Sequence, residues 1–176
     1  MANTVIQKKI CMLGSFSVGK TSLVQRYVNS MFSVKYQTTV GVKIDKKQLS
    51  VGDQDMMMML WDIAGEDKFA TIRPAQLRGM SAYVLVIDGT RMQSFDIAMS
   101  IREMVLEQLG NLPMVFALNK ADLHEQWVLN EASLKVLSDT GHPVLKTSAK
   151  MDQNVEAIFL QLGRQLVDEK IALEGI

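Results

Sequence analysis

The segment Gly14-Ser15-Phe16-Ser17-Val18-Gly19-Lys20-Thr21 constrains the fold of this chain more than any other. It matches GxxxxGK[ST] and lies between an apolar run and a helical pattern. Lys9 to Leu13 reads as a strand and Thr21 to Asn29 as a helix, which is the strand, loop and helix order that a phosphate-binding loop requires. Gly14 permits the tight turn off the strand, and Gly19 lets the backbone close on an anion. Successive N–H groups along Ser15, Phe16, Ser17, Val18 and on to Ser22, with the positive end of the helix, supply donors. Lys20 is expected to reach the terminal phosphates and Thr21 to ligate Mg²⁺.

Beyond the loop, short apolar runs alternate with helical periods, the pattern of strands and crossover helices. Strands are predicted at Val40 to Val51, Asp55 to Asp62, Ser81 to Asp88, Met114 to Asn119 and Val144 to Thr147, in addition to the first. Ser81 to Asp88 and Met114 to Asn119 are apolar on both faces, as buried parallel strands should be. Val40 to Val51 is mostly polar and suits a sheet edge. Further helices are predicted at Ser94 to Leu109, Glu131 to Asp139 and Val155 to Ala172; in the last, Val155, Ile158, Phe159, Leu162 and Leu166 form one apolar stripe that should cover the sheet. The run Met56 to Met59 reads as a soft strand packed between helices rather than a metal or redox element. No Pro/Gly/Ser-rich linker, repeat or charge block divides the 176 residues, so one domain over 1–176 is expected.

A phosphate-binding loop alone is compatible with a kinase, an ATPase or a GTPase. Asn119-Lys120-Ala121-Asp122 narrows the choice, because it follows an apolar strand at the end where open α/β sheets place ligands. A carboxylate at Asp122 can accept from the ring N–H and the exocyclic amine of guanine, whereas adenine would leave it desolvated and unpaired. After the sixth strand, Ser148-Ala149-Lys150 can offer a backbone N–H to the guanine carbonyl. Each string taken singly also reads as a helix cap or surface loop; both, in this order after the phosphate loop, point to guanine. A phosphate-loop kinase would need an Arg-rich lid and an acceptor site, and neither is evident.

Nineteen basic residues balance nineteen acidic ones, so the chain has no long-range field for nucleic acid or anionic lipid. The single cysteine, Cys11, lies in an apolar run and fits a buried thiol in a reducing compartment. No apolar run approaches the roughly 18 residues of a membrane span. The second residue is not Gly and the last four offer no Cys for prenylation. The expectation is a cytoplasmic protein, monomeric alone, with no direct membrane anchor in this chain; a trimmed tail, excision from a longer chain, or recruitment to membranes through partners would each account for the missing Cys.

The motifs together resemble the small GTPases of the Ras superfamily over essentially the full length. From Lys20 to Thr39 is 19 positions, from Asp62 to Asn119 57, and from Asn119 to Ser148 29, which suits that family without a large insertion. Tyr36-Gln37-Thr38-Thr39-Val40-Gly41-Val42 resembles its first switch, and Trp61-Asp62-Ile63-Ala64-Gly65-Glu66 its second; both lean towards the Rab branch. The resemblance implies a three-layer α/β P-loop GTPase fold with a six-stranded, mostly parallel sheet and one antiparallel edge strand. It implies that Thr39 closes on Mg²⁺ and the γ-phosphate, Asp62 holds Mg²⁺ through water, Gly65 gives its N–H to the γ-phosphate, and Phe32 stacks on guanine. Thr38 has the same chemistry as Thr39, and family spacing alone selects Thr39. The implied function is a GTP/GDP switch whose two loops, Val34 to Val40 and Glu66 to Arg78, are ordered by GTP and read by effectors, with an exchange factor and an activating protein as further partners.

Two positions depart from that pattern, and both bear on hydrolysis. Glu66 stands where most members carry a Gln that orients the attacking water, and Phe16 where the loop residue is usually small. A carboxylate only accepts hydrogen bonds and adds charge that opposes the nucleotide; the Phe16 ring can occupy the path of an activator's arginine. Each also has a plainer reading, Glu66 as a solvated side chain and Phe16 as an outward-facing ring. Slow intrinsic hydrolysis, with Lys20, Thr39, Gly65 and Glu66 as the catalytic set, is the expected activity. The alternative is a hydrolysis-impaired GTP-binding scaffold controlled mainly by exchange or partners.

Overall fold

A computed structural model of the chain describes residues 4–33, 41–65 and 71–175. Six strands form one sheet: β1 (Ile6–Gly14), β2 (Val42–Val51), β3 (Gln54–Ile63), β4 (Ala82–Asp88), β5 (Met114–Asn119) and β6 (Val144–Lys146). Their spatial order is β2-β3-β1-β4-β5-β6. The pair β2–β3 is antiparallel and every other pair is parallel. The helices are α1 (Lys20–Asn29), α2 (Pro74–Leu77), α3 (Met92–Leu109), α4 (Glu131–Ser138) and α5 (Val155–Glu174), with a 3-10 turn at His124–Gln126. This is the P-loop GTPase fold, and β2 is the antiparallel edge strand that its polarity predicts.

Strand alternation divides the core into two layers. Ile10 and Met12 of β1 face α1 and α5, packing with Val24, Ile158, Phe159 and Leu162; Cys11 and Leu13 face the other way, towards Phe95, Ile101 and Leu137. β4 and β5 are buried at every residue, because helices lie on both sides of a parallel sheet. Each large apolar side chain so buried contributes roughly 1.5–3 kcal/mol. The Tyr27 and Phe159 rings stack at 4.0 Å and lock α1 to α5. Burial also makes Cys11 inert by pushing its thiol up to about 12, against the opposing charge of Lys9.

The differences from sequence expectation are local. α3 starts two residues before Ser94, because the buried Ser94 hydroxyl bonds the backbone of Asp88 and Arg91 instead of opening the helix. Met56 and Met58 are buried, but Met57 and Met59 are half-exposed, so helices fully cover one face of β3 and not both. α2 has too few residues to show a period; it is held from outside by Lys9, whose Nζ donates to Gln76 O at 2.7 Å and Arg78 O at 2.8 Å while lying 3.7 Å from the Trp61 ring centre. The predicted first-switch string from Tyr36 to Val40, with Thr39, and Glu66 lie outside the described residues.

Candidate nucleotide site

β1 delivers the chain to Gly14, and α1 begins at Lys20, so the phosphate loop crosses the carboxyl end of the sheet. Lys20 is 5% exposed. Its ammonium folds back over the loop and donates to Gly14 O at 3.1 Å and Ser15 O at 2.8 Å. Burial lowers its pKa to about 8, with the Asp62 carboxylate acting against the shift and the Arg91 charge adding to it. A desolvated cation whose hydrogen-bond partners among the described residues are loop carbonyls gains strongly from an incoming phosphate.

Next to it, Thr21 Oγ1 donates to Asp62 Oδ2 at 2.7 Å, and Asp62 is buried near the end of β3. A hydroxyl and a carboxylate held this close are hard oxygen donors, the type Mg²⁺ takes in combination with phosphate oxygens and water, so the residues present fit that ion. Gly65 rests directly on the loop: a Cβ there would lie 2.5 Å from Phe16 Cα and 2.6 Å from Phe16 N. Any side chain at 65 would therefore push the backbone at this position off the phosphate loop. Ser22 is half-buried in the first turn of α1, and Phe16 is exposed at 38%. Phe32 is half-buried and packs against the core layer that contains Val18, Tyr27 and Ala149.

The second half of the site comes from the ends of β5 and β6. Asn119 is buried; its Nδ2 donates to Val18 O at 3.0 Å, and its Oδ1 accepts from Thr147 Oγ1 at 3.2 Å and Ala149 N at 3.4 Å. Lys120, at a positive φ of 65°, sends Nζ to Ser17 O at 3.0 Å and Asp88 Oδ2 at 2.8 Å. Asp122 Oδ1 accepts from Ser148 Oγ at 2.7 Å. Arg26 of α1 donates to Ala149 O at 2.8 Å and Lys150 O at 2.9 Å. Thus Asn119, Lys120 and Asp122 meet the turn Ser148–Ala149–Lys150 and the phosphate loop in one place.

Asp88, Thr90, Arg91 and Arg26 also belong to this neighbourhood, and sequence reasoning passed over them. Asp88 Oδ1 accepts from the Thr90 N–H at 2.9 Å and hydroxyl at 2.6 Å, while Oδ2 accepts from Lys120 and, at 3.1 Å, from Arg91 Nε. Burial pushes the Asp88 carboxyl up, but the bonds from Lys120 and Thr90 outweigh it and hold the group below its ordinary range. The available signal was Asp88-Gly89-Thr90 at the carboxyl end of a fully apolar strand, where doubly wound sheets carry ligand-side residues.

Fold and site together define a P-loop GTPase domain. A sequence model of the Ras family matches residues 9–168. Among curated relatives, Ras-related protein Rab-7a of Dictyostelium discoideum is 36% identical over 166 residues, covering 90% of this chain and 82% of the relative. Ypt/Rab-type GTPase ypt7 of Pyricularia oryzae is 35% identical over 170 residues, covering 92% and 83%. Ras-related protein RabJ of Dictyostelium discoideum is 30% identical over 167 residues, and the match spans 94% of this chain but 65% of that relative. The chain belongs to the Ras family and is a Rab-like small GTPase, a nucleotide-binding switch. Rab-like GTPases generally work with effectors, exchange factors and activating proteins. Among the described residues, no helix is long and apolar enough to cross a membrane.

Proposed function

We propose that this protein is a Mg²⁺-dependent guanine-nucleotide switch that hydrolyses GTP slowly to GDP and phosphate. The observation that carries the reading is the direct bonding of the base-reading segment to the phosphate loop, through Asn119 Nδ2 to Val18 O and Lys120 Nζ to Ser17 O. Such bonding lets one ligand carrying both guanine and phosphates span the two halves. In this reading Asp122 selects guanine, the Ala149 N–H meets its carbonyl, and Phe32 covers its face. Lys20 and the loop N–H groups hold the phosphates, while Thr21, Asp62 and Thr39 hold Mg²⁺. Bound there, the ion would neutralise charge on the terminal phosphates. Thr39 and Gly65 sense the third phosphate, so the switch loops are presented to effectors only in the GTP state. The protein acts in the cytoplasm.

Slow hydrolysis follows from Glu66. Its carboxylate can hold a water but cannot donate to a phosphate oxygen, and a net penalty of only ~1 kcal/mol slows the step about fivefold. The exposed Phe16 ring stands on the loop where an activator's arginine would enter. The test is single-turnover phosphate release by the unaltered protein, Glu66→Gln, Phe16→Gly and the double variant, each with and without an arginine-finger activator. Glu66→Gln should be faster, and the double variant should respond to the activator. Fast release by the unaltered protein with a slower Glu66→Gln would show that Glu66 itself positions the water. No measurable release by the unaltered protein in either condition would favour the hydrolysis-impaired scaffold.

A further inference from the structure

Two consecutive carbonyls of the phosphate loop are each capped by a cation, and both cations share one carboxylate oxygen. Lys120 Nζ caps Ser17 O at 3.0 Å and binds Asp88 Oδ2 at 2.8 Å. Arg91 Nη2 caps Phe16 O at 2.6 Å, and its Nε binds the same Asp88 oxygen at 3.1 Å. Asp88 is 1% exposed and fixed by Thr90 on its other oxygen, so it is a rigid anchor. A planar guanidinium spans two such acceptors as a fork, which a lysine ammonium does not reproduce. The Lys120 arm belongs to the base-reading segment; none of the roles above uses the Arg91 arm.

The residue that Arg91 grips is also the one on which Gly65 rests. Phe16 N and Cα face Gly65, and the Phe16 carbonyl faces Arg91. We propose that Arg91 is a positioning residue that holds the Phe16 backbone against Gly65 and thereby favours the triphosphate over the diphosphate. The inference rests on the reading of Gly65 as a contact of the third phosphate. If Phe16 shifts by a few tenths of an ångström, Gly65 either loses its seat or moves with it, and the γ-phosphate contact suffers while the rest of the loop remains held by Lys120.

The experiment is stopped-flow release of fluorescent GDP and of a fluorescent non-hydrolysable GTP analogue from the full chain with Mg²⁺, for the unaltered protein, Arg91→Ala and Arg91→Lys. Arg91 is about one-third exposed, and thermal melting checks that both variants fold. Arg91→Ala should release the GTP analogue about tenfold faster, equivalent to about 1.4 kcal/mol, and GDP less than about threefold faster. Arg91→Lys keeps the charge without the fork and should remain at least about threefold fast on the analogue; it also keeps the test open if the Ala variant does not fold. Unchanged release, equal acceleration of both nucleotides, or full rescue by Lys would overturn the proposal. Failure of the unaltered protein to bind either nucleotide would instead overturn the guanine-switch reading on which it rests.

Discussion

Gly19→Ala should weaken nucleotide binding about 150-fold, and the reason is local geometry. Gly19 has φ 100°, a left-handed conformation that an L side chain adopts at a cost of ~1–3 kcal/mol. A Cβ there would also overlap Asn119 Nδ2. That amide cannot step aside freely, because Asn119 is buried and held by Val18 O, Thr147 Oγ1 and Ala149 N. Displacing it leaves a buried polar group unpaired, at ~1–3 kcal/mol. Taking ~3 kcal/mol after partial relaxation, the affinity loss is about 150-fold. The assay is titration with fluorescent GDP alongside thermal melting of the nucleotide-free protein, since strain that persists without ligand lowers the melting temperature instead of the affinity. A double-mutant cycle with Asn119→Ala isolates the overlap: in that background Gly19→Ala should cost only the backbone strain, giving a coupling of ~1–3 kcal/mol. Affinity within threefold of the unaltered protein together with unchanged melting, or a cycle that is strictly additive, would refute the reasoning.

Nucleotide affinity should be flat below about pH 8 and fall above it, by up to about tenfold per pH unit. The Lys20 pKa is lowered to about 8 in the free site, phosphate raises it, and the bound state then holds the extra proton. GDP titrations from pH 7 to 10, compared at each pH with Lys20→Met to remove titration of the guanine ring, check this; an equal slope in both proteins would discount Lys20. Gly163→Ala should destabilise the fold by ~1 kcal/mol without changing guanine specificity. Its Cβ would lie 2.8 Å from Leu49 Cδ2 and 2.9 Å from Val51 Cγ2, an overpacking cost of ~1–3 kcal/mol partly offset by the ~0.5–1 kcal/mol that Ala gains over Gly inside a helix. Thermal melting should show a drop of about 2–4 °C, and a rise would mean that the β2 side chains yield easily.

Much of this molecule is legible from local pattern. β4 and β5 are apolar at nearly every position, and only a strand buried on both faces accommodates that; β2 alternates polar side chains and was readable as an edge. The phosphate loop and Asn119 to Asp122 are contiguous strings whose chemistry needs no tertiary information. α2 was missed because four residues cannot display a helical period, and what holds it is Lys9 from the distant β1. Arg91 was missed as a site residue because nothing in its own segment marks it, whereas Asp88 carried a usable signal at the carboxyl end of an apolar strand.

The sequence by itself determined which residues can make a strand, a helix or an anion loop, because those choices depend on neighbours a few positions away. The tertiary structure decided the sheet order, which brings Asn119 to Val18 across 101 positions and Arg91 to Phe16 across 75. It also decided that the Asp88 carboxylate stays below its ordinary pKa range while Lys20 is depressed to about 8. Those shifts follow from burial, from the neighbouring Thr90 at Asp88, and from charges that distant segments bring in, Lys120 to Asp88 and Asp62 and Arg91 to Lys20; local pattern does not encode which distant charge a buried group will meet.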